Sequence, residues 1–183
     1  ARFDVPVSID TYKGNVAEAA LQAGADLVND IWGFKFDKKT ALMTAKYNAA
    51  CCLMHNKDEA VYNDFLEDMV SEMAECVKIA REAGVADDKI MLDPGVGFGK
   101  TYEMNLAAIN HVDVLHRLGF PILLGTSRKS VIGNTLNLPA DQRVEGTLAT
   151  TVIGVMKNCA FVRVHDIKEN KRIIQMTKAI LAH

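Results

Sequence analysis

The feature that most constrains this chain is a strict alternation of six short β-rich runs with six helical stretches. The runs fall at 5–9, 26–28, 50–53, 89–92, 121–124 and 160–164, and helices are predicted at 13–23, 37–49, 62–83, 102–118, 140–157 and 167–182. In the third helix Val61, Phe65, Met69, Met73, Val77 and Ala80 recur at a three-to-four spacing that buries one face. Gly24 and Gly84 stand where a helix C-terminal glycine should fall. Strands separated by helices make a parallel sheet with right-handed crossovers. No Pro/Gly-rich linker or low-complexity stretch divides the chain, so 1–183 is read as a single domain.

Two parallel architectures compete, an open doubly wound sheet and a closed eight-stranded barrel. Each run leads into polar side chains: Asp10 and Thr11; Asn29 and Asp30; His55 and Asn56; Asp93; Thr126 to Lys129; then Arg163, His165 and Asp166. An open sheet needs such chemistry only at its switch point. A barrel gathers every C-terminal strand end around one mouth, so polar chemistry at all six ends favours a (β/α)8 TIM barrel. The length is awkward, because 183 residues is below the usual barrel minimum of about 200. Two βα units are therefore expected to be missing, and the start at Ala1 without a Met points to the beginning.

Composition excludes several classes. A net charge of −2 gives no electrostatic footprint for nucleic acid or an anionic membrane, so any anionic ligand must be held by a few placed residues. No apolar run approaches a bilayer span and no secretion signal opens the chain. Cys51, Cys52, Cys76 and Cys159 show no metal spacing; they read as small buried hydrophobes suited to a reducing cytosol.

The segment Asp93-Pro94-Gly95-Val96-Gly97-Phe98-Gly99-Lys100 resembles a phosphate loop but fails its spacing. A Walker A loop needs four residues between its first glycine and the Gly-Lys pair, and Gly95 leaves only three before Gly99. A flexible turn explains the glycines but not a carboxylate at the tip of an apolar strand, which is costly to bury unpaired. Asp93 is therefore read as facing a ligand. Gly125-Thr126-Ser127-Arg128-Lys129-Ser130 offers N–H groups, hydroxyls and two cations before a short helix. Arg163 and His165 alternate, so they share one side of an extended segment just ahead of the last helix. Asp10 and Thr11 fit helix capping as well as ligand binding. His111 is given no role.

Seven segments together resemble the dihydropteroate synthase family, in the family's order and over nearly the whole chain. They are Ser8-Ile9-Asp10-Thr11, Asn29-Asp30-Ile31-Trp32-Gly33, Leu53-Met54-His55-Asn56, Asp93 to Lys100, Gly125 to Ser130, Arg143-Val144-Glu145-Gly146-Thr147 and Arg163-Val164-His165-Asp166. The SRKS, RVEGT and RVHD segments argue against the related pterin-binding methyltransferases, the alternative within the fold. The resemblance implies an eight-stranded barrel entered at its third strand. It also implies a cytoplasmic, homodimeric, sulfonamide-targeted transferase of folate biosynthesis whose partners are small molecules.

The reaction so implied joins 6-hydroxymethyl-7,8-dihydropterin pyrophosphate to p-aminobenzoate, releasing pyrophosphate. Asp93 would accept from the two-donor edge of the pterin, with Asn29 and Asp10 reading neighbouring ring atoms and Lys129 donating to the ring carbonyl. Ile31, Met54, Phe98 and Gly125 would wall the slot, Arg163 and His165 would cradle the pyrophosphate away from the ring, and Ser130 would hold the benzoate carboxylate. Catalytic roles thus fall on Asp93, Lys129, Arg163 and His165. Mg2+ is implied as cofactor, with no ligand assigned here, since the family's magnesium-binding Asn lies in the absent segment. A reading from another class is a non-catalytic pterin-binding fragment. Gly146, Ala149, Thr150 and Gly154 would permit close packing of their helix, at a dimer interface or against the barrel.

Overall fold

Six apolar runs become six parallel strands in a computed structural model that describes residues 4–183. They are β1 (Ser8–Asp10), β2 (Leu27–Asp30), β3 (Ala50–Met54), β4 (Ile90–Asp93), β5 (Leu123–Leu124) and β6 (Phe161–Val162). Strands β1 to β4 form one ladder and β5 pairs with β6. A parallel bridge from Leu92 to Ile122 joins the two sets. Every strand therefore lies beside its sequence neighbour, which is barrel order and not the reversed order of a doubly wound sheet. The ladder ends at β1 and β6, whose side chains are exposed or half-exposed, whereas β2, β3 and β4 are almost wholly buried.

The helices are α1 (Gly14–Gln22), α2 (Lys38–Lys46), α3 (Phe65–Glu82), α4 (Tyr102–Asn110), α5 (Ser130–Leu136), α6 (Val144–Met156) and α7 (Ile167–Leu181). In α3 the Asp64 carboxylate accepts from the N–H groups of Leu66 and Glu67, and Glu67 and Asp68 add negative charge to the first turn. The helix closes on Gly84 at φ +93°, where Gly84 N donates to Arg81 O and Val85 N to Ala80 O. Met69, Met73, Val77 and Ala80 are buried as expected, each large side chain contributing about 1.5–3 kcal/mol. Val61 is a correction: it precedes the Asp64 cap and is 67% exposed.

Two predicted helices are interrupted. The stretch 102–118 is helical only to Asn110 and continues as a 3-10 turn over Val112–Leu118. Asn110, His111 and β-branched Val112 and Val114 are poor helix formers, and the polar pair bonds side chain to side chain instead. The stretch 140–157 breaks at Arg143, whose backbone sits at φ −107°, ψ 17° and whose guanidinium turns to other carbonyls. Helix α1 is capped neither by Asp10 nor by Thr11: Asp37 at the head of α2 accepts from Gly14 N at 2.7 Å, while Thr11 Oγ1 accepts from Lys13 N. Cys51, Cys52 and Cys76 are buried and free, and burial pushes the Cys51 thiol up to about 12. Among the described residues no helix is long and apolar enough to cross a membrane.

Candidate active site

The C-terminal ends of β2 and β4 and the residue after β6 bring Asn29, Asp93 and Arg163 together. Asp93 ends the apolar strand β4 and is fully buried. Its Oδ1 accepts from Gly95 N at 2.8 Å, while Oδ2 makes no hydrogen bond and lies 3.5 Å from Arg163 Nη2. Burial pushes the carboxyl above the usual carboxylate range, against the pull of Lys129 and Arg163. Asn29 accepts from Arg163 Nη1 through Oδ1 at 3.1 Å, and its buried Nδ2 has no partner. The guanidinium thus spans two strand ends, so the expectation that Arg163 stands apart from the ring-reading residues is corrected.

Lys129 completes the group. Its Nζ donates to Val96 O and lies 4.9 Å from the centre of the Phe98 ring. Burial holds the amine below its ordinary value, with Asp93 acting in the opposite direction. Gly125 is buried beside the ion pair: a Cβ there would stand 3.0 Å from Arg163 Nη2 and 3.3 Å from Asp93 Oδ2. Met54 is fully buried at the end of β3, and Ile31 and Phe98 are half-buried. Asp10 is exposed at the end of β1, in register with Asn29. His165 is exposed and fixed by Ser127, whose Oγ accepts from His165 N at 3.1 Å and lies 2.8 Å from Nδ1. Together Gly125, Ser127, Lys129, Arg163, Val164 and His165 line a small cavity. Ser130, the first residue of α5, is exposed on the same turn.

Sequence reasoning left Lys100 and His55 without roles. Lys100 Nζ donates to Gly95 O at 3.0 Å and Phe98 O at 2.9 Å, and it lies 2.8 Å from His55 Nδ1. His55 is fully buried, and burial with nearby lysines holds its pKa down to about 2, so it is neutral. With Nδ1 accepting from the lysine, Nε2–H donates to Glu72 at 3.1 Å. This chain braces the Gly95–Gly99 turn from below, and Gly95 at φ +68° has no room for a Cβ against the His55 carbonyl. The glycines were legible as a turn; a lysine pointing back beneath its own loop was not.

The family model described as pterin binding enzyme matches residues 1–165. A dihydropteroate synthase of Clostridium beijerinckii is 61% identical over 98% of this chain and 67% of its own length. One from Bacillus subtilis is 52% identical over 97% of this chain and 62% of its own. The solved dihydropteroate synthase of Clostridium difficile, determined in the presence of pteroic acid, superposes with a TM-score of 0.95 at 48% identity. That match covers 97% of this chain and 68% of the other. The chain therefore spans about two thirds of the length of these relatives, and its six strands are part of a TIM barrel. It belongs to the pterin-binding enzymes and, among them, to the dihydropteroate synthase family.

Proposed function

We propose that the full-length protein is a dihydropteroate synthase: it joins the pterin methylene carbon of 6-hydroxymethyl-7,8-dihydropterin pyrophosphate to the amino nitrogen of p-aminobenzoate. The observation that carries this reading is a pair of buried polar atoms that make no hydrogen bond, Asn29 Nδ2 and Asp93 Oδ2, the second only ion-paired, held side by side through Arg163. Leaving such groups unmatched costs about 1–3 kcal/mol each, and a flat heterocycle with donors and acceptors on one edge would satisfy both. The N3–H and 2-amino group of a pterin suit the carboxylate, and a ring nitrogen suits the Asn29 amide. Lys129 still has two N–H donors for the ring carbonyl, and Met54, Ile31 and Phe98 supply apolar walls. Asp10, in register with Asn29, would reach the ring edge from the neighbouring strand.

Arg163 and His165 would then face the pyrophosphate. The C–O bond breaks with its electron pair leaving on pyrophosphate, the aniline nitrogen forms the new C–N bond, and that nitrogen gives up a proton to solvent. Stabilising the departing anion is electrostatic work, suited to a guanidinium that is always charged. Ser130 and the turn before it would hold the benzoate carboxylate. Among the described residues no group of three or more His, Cys, Asp or Glu side chains could hold a metal ion. Magnesium is commonly held by one or two carboxylates together with water and substrate phosphates, so Mg2+ would come to the site with the pyrophosphate; no step above depends on it. A cytoplasmic homodimer remains part of the proposal.

Asp93→Asn tests the reading. The change turns an acceptor into a donor facing the donor edge of the ligand, and losing a charge-assisted bond costs about 1.5–3 kcal/mol, or roughly ten- to a hundredfold in affinity. Calorimetry on the full-length protein should show that loss for dihydropterin. Unchanged affinity would remove Asp93 from the site. Turnover by the full-length protein, and none by the 183-residue chain alone, would separate the enzyme from a pterin-binding fragment.

A further inference from the structure

The RVEGT segment takes no part in the site described above, yet its first residue reaches that site through backbone. Arg143 is half-buried, and its guanidinium lies across α5. Nη1 donates to Arg128 O at 2.8 Å and to Lys129 O at 3.3 Å, the two carbonyls just before the helix. Nε donates to Leu138 O at 2.9 Å, beyond the helix end. Between these anchors the plane rests on Gly133, where a Cβ would overlap Nη2, Cζ and Nε. Only glycine at 133 lets the guanidinium lie there.

The turn it grips needs holding. Arg128 adopts φ +58°, a left-handed conformation that costs a non-glycine residue about 1–3 kcal/mol and persists only when its surroundings impose it. Thr147, fully buried one turn along α6, accepts from Arg128 N at 3.1 Å and donates its hydroxyl to Arg143 O. The Arg128 side chain pairs in a fork with Asp166, at 3.1 and 2.6 Å. The SRKS, RVEGT and RVHD segments are thus one assembly around a strained turn, and Lys129 leaves that turn toward Val96, Phe98 and Asp93.

We propose that Arg143 is a positioning residue for Lys129: seated on Gly133, it fixes the carbonyls of Arg128 and Lys129 and so sets the direction in which the Lys129 amine enters the site. The inference rests on the reading of Lys129 as a ligand-facing amine, and its test has one part that needs no ligand. In the full-length protein, acylation of individual lysines by an amine-selective reagent is followed by mass spectrometry against pH. Burial holds Lys129 below the ordinary lysine value. In Arg143→Ala its midpoint should move up toward that value, while the midpoint of Lys100, buried under a different loop, stays where it is. Movement of both, or of neither, would overturn the proposal.

The second part is a double-mutant cycle on dihydropterin affinity. Arg143→Ala should weaken binding about tenfold or more, and Arg143→Ala combined with Lys129→Ala should be no weaker than Lys129→Ala alone, since one acts through the other. Additive losses would overturn it. Should Arg143→Ala fail to fold, Arg143→Lys keeps the charge but cannot hold carbonyls on both sides of α5, and it carries both comparisons. A wild type that binds no pterin would sink the proposed function, and the ligand-free part would still decide the role of Arg143.

Discussion

Asp30 gives a prediction whose size follows from its surroundings. It ends β2, is fully buried, and holds the tight turn that presents Ile31. Oδ1 accepts from Trp32 N at 2.8 Å, and Oδ2 has no hydrogen-bond partner. Beyond it the backbone passes through two left-handed residues, Gly33 at φ 57° and Phe34 at φ 67°. Burial, with Asp37 and Asp10 nearby, raises the carboxyl from 3.8 to about 6. Because the folded value exceeds the unfolded one, the folded protein binds more protons between the two. This contribution to stability is therefore full below about pH 4 and falls away as pH rises to about 6. A rise of roughly two units, at about 1.4 kcal/mol each, disfavours the ionised folded form by about 3 kcal/mol. Asp30→Asn keeps an Oδ1 acceptor for the turn and cannot titrate. Urea unfolding of the full-length protein and the variant should show the difference between them shifting in the variant's favour by about that amount from about pH 4 to about pH 7. The fixed cost of an unpaired amide cancels in this comparison. A difference that stays flat with pH would refute the account of the buried carboxylate.

Two further outcomes are expected. Arg163→Ala should weaken both dihydropterin and its pyrophosphate, because the guanidinium touches Asn29 and Asp93, whereas His165→Ala should weaken only the phosphorylated ligand. Calorimetry with the two ligands checks this, and equal effects of the two variants would dissolve the distinction. The 183-residue chain alone should self-associate through its ladder ends, where Val5 is 63%, Val7 47% and Phe161 48% exposed; light scattering that shows a monodisperse monomer would refute it.

The architecture was legible because strand and helix periods alternate cleanly and each strand end carries a polar residue. Asp93 stood out for a local reason, a carboxylate closing the apolar run Ile90-Met91-Leu92. What the sequence hid were contacts between side chains far apart in the chain. Arg163 and Asn29 meet across 134 positions, a contact that no local pattern signals. The bonds of His55 were hidden too, since its partners Glu72 and Lys100 sit on other elements. The interruption at Arg143 was equally hidden: a helical pattern says nothing about a guanidinium that bonds carbonyls fourteen and fifteen positions upstream.

The arrangement also bears on the proposed binding of a pyrophosphate by a chain of net charge −2. Lys129, Arg163 and Lys100 all act on the single carboxylate of Asp93, while His55 is kept neutral by burial and by its cationic neighbours. Burial holds Lys100 down to about 7 and lowers Lys129 as well, which limits the repulsion among three cations in one place. An arriving anion would reverse that balance, because each negative charge nearby favours the protonated amines. Arg163 cannot release its proton in this way, and it is the residue that touches the carboxylate. A Cβ at Gly125 would press on that contact, 3.0 Å from Arg163 Nη2 and 3.3 Å from Asp93 Oδ2, so the guanidinium would have to shift to make room.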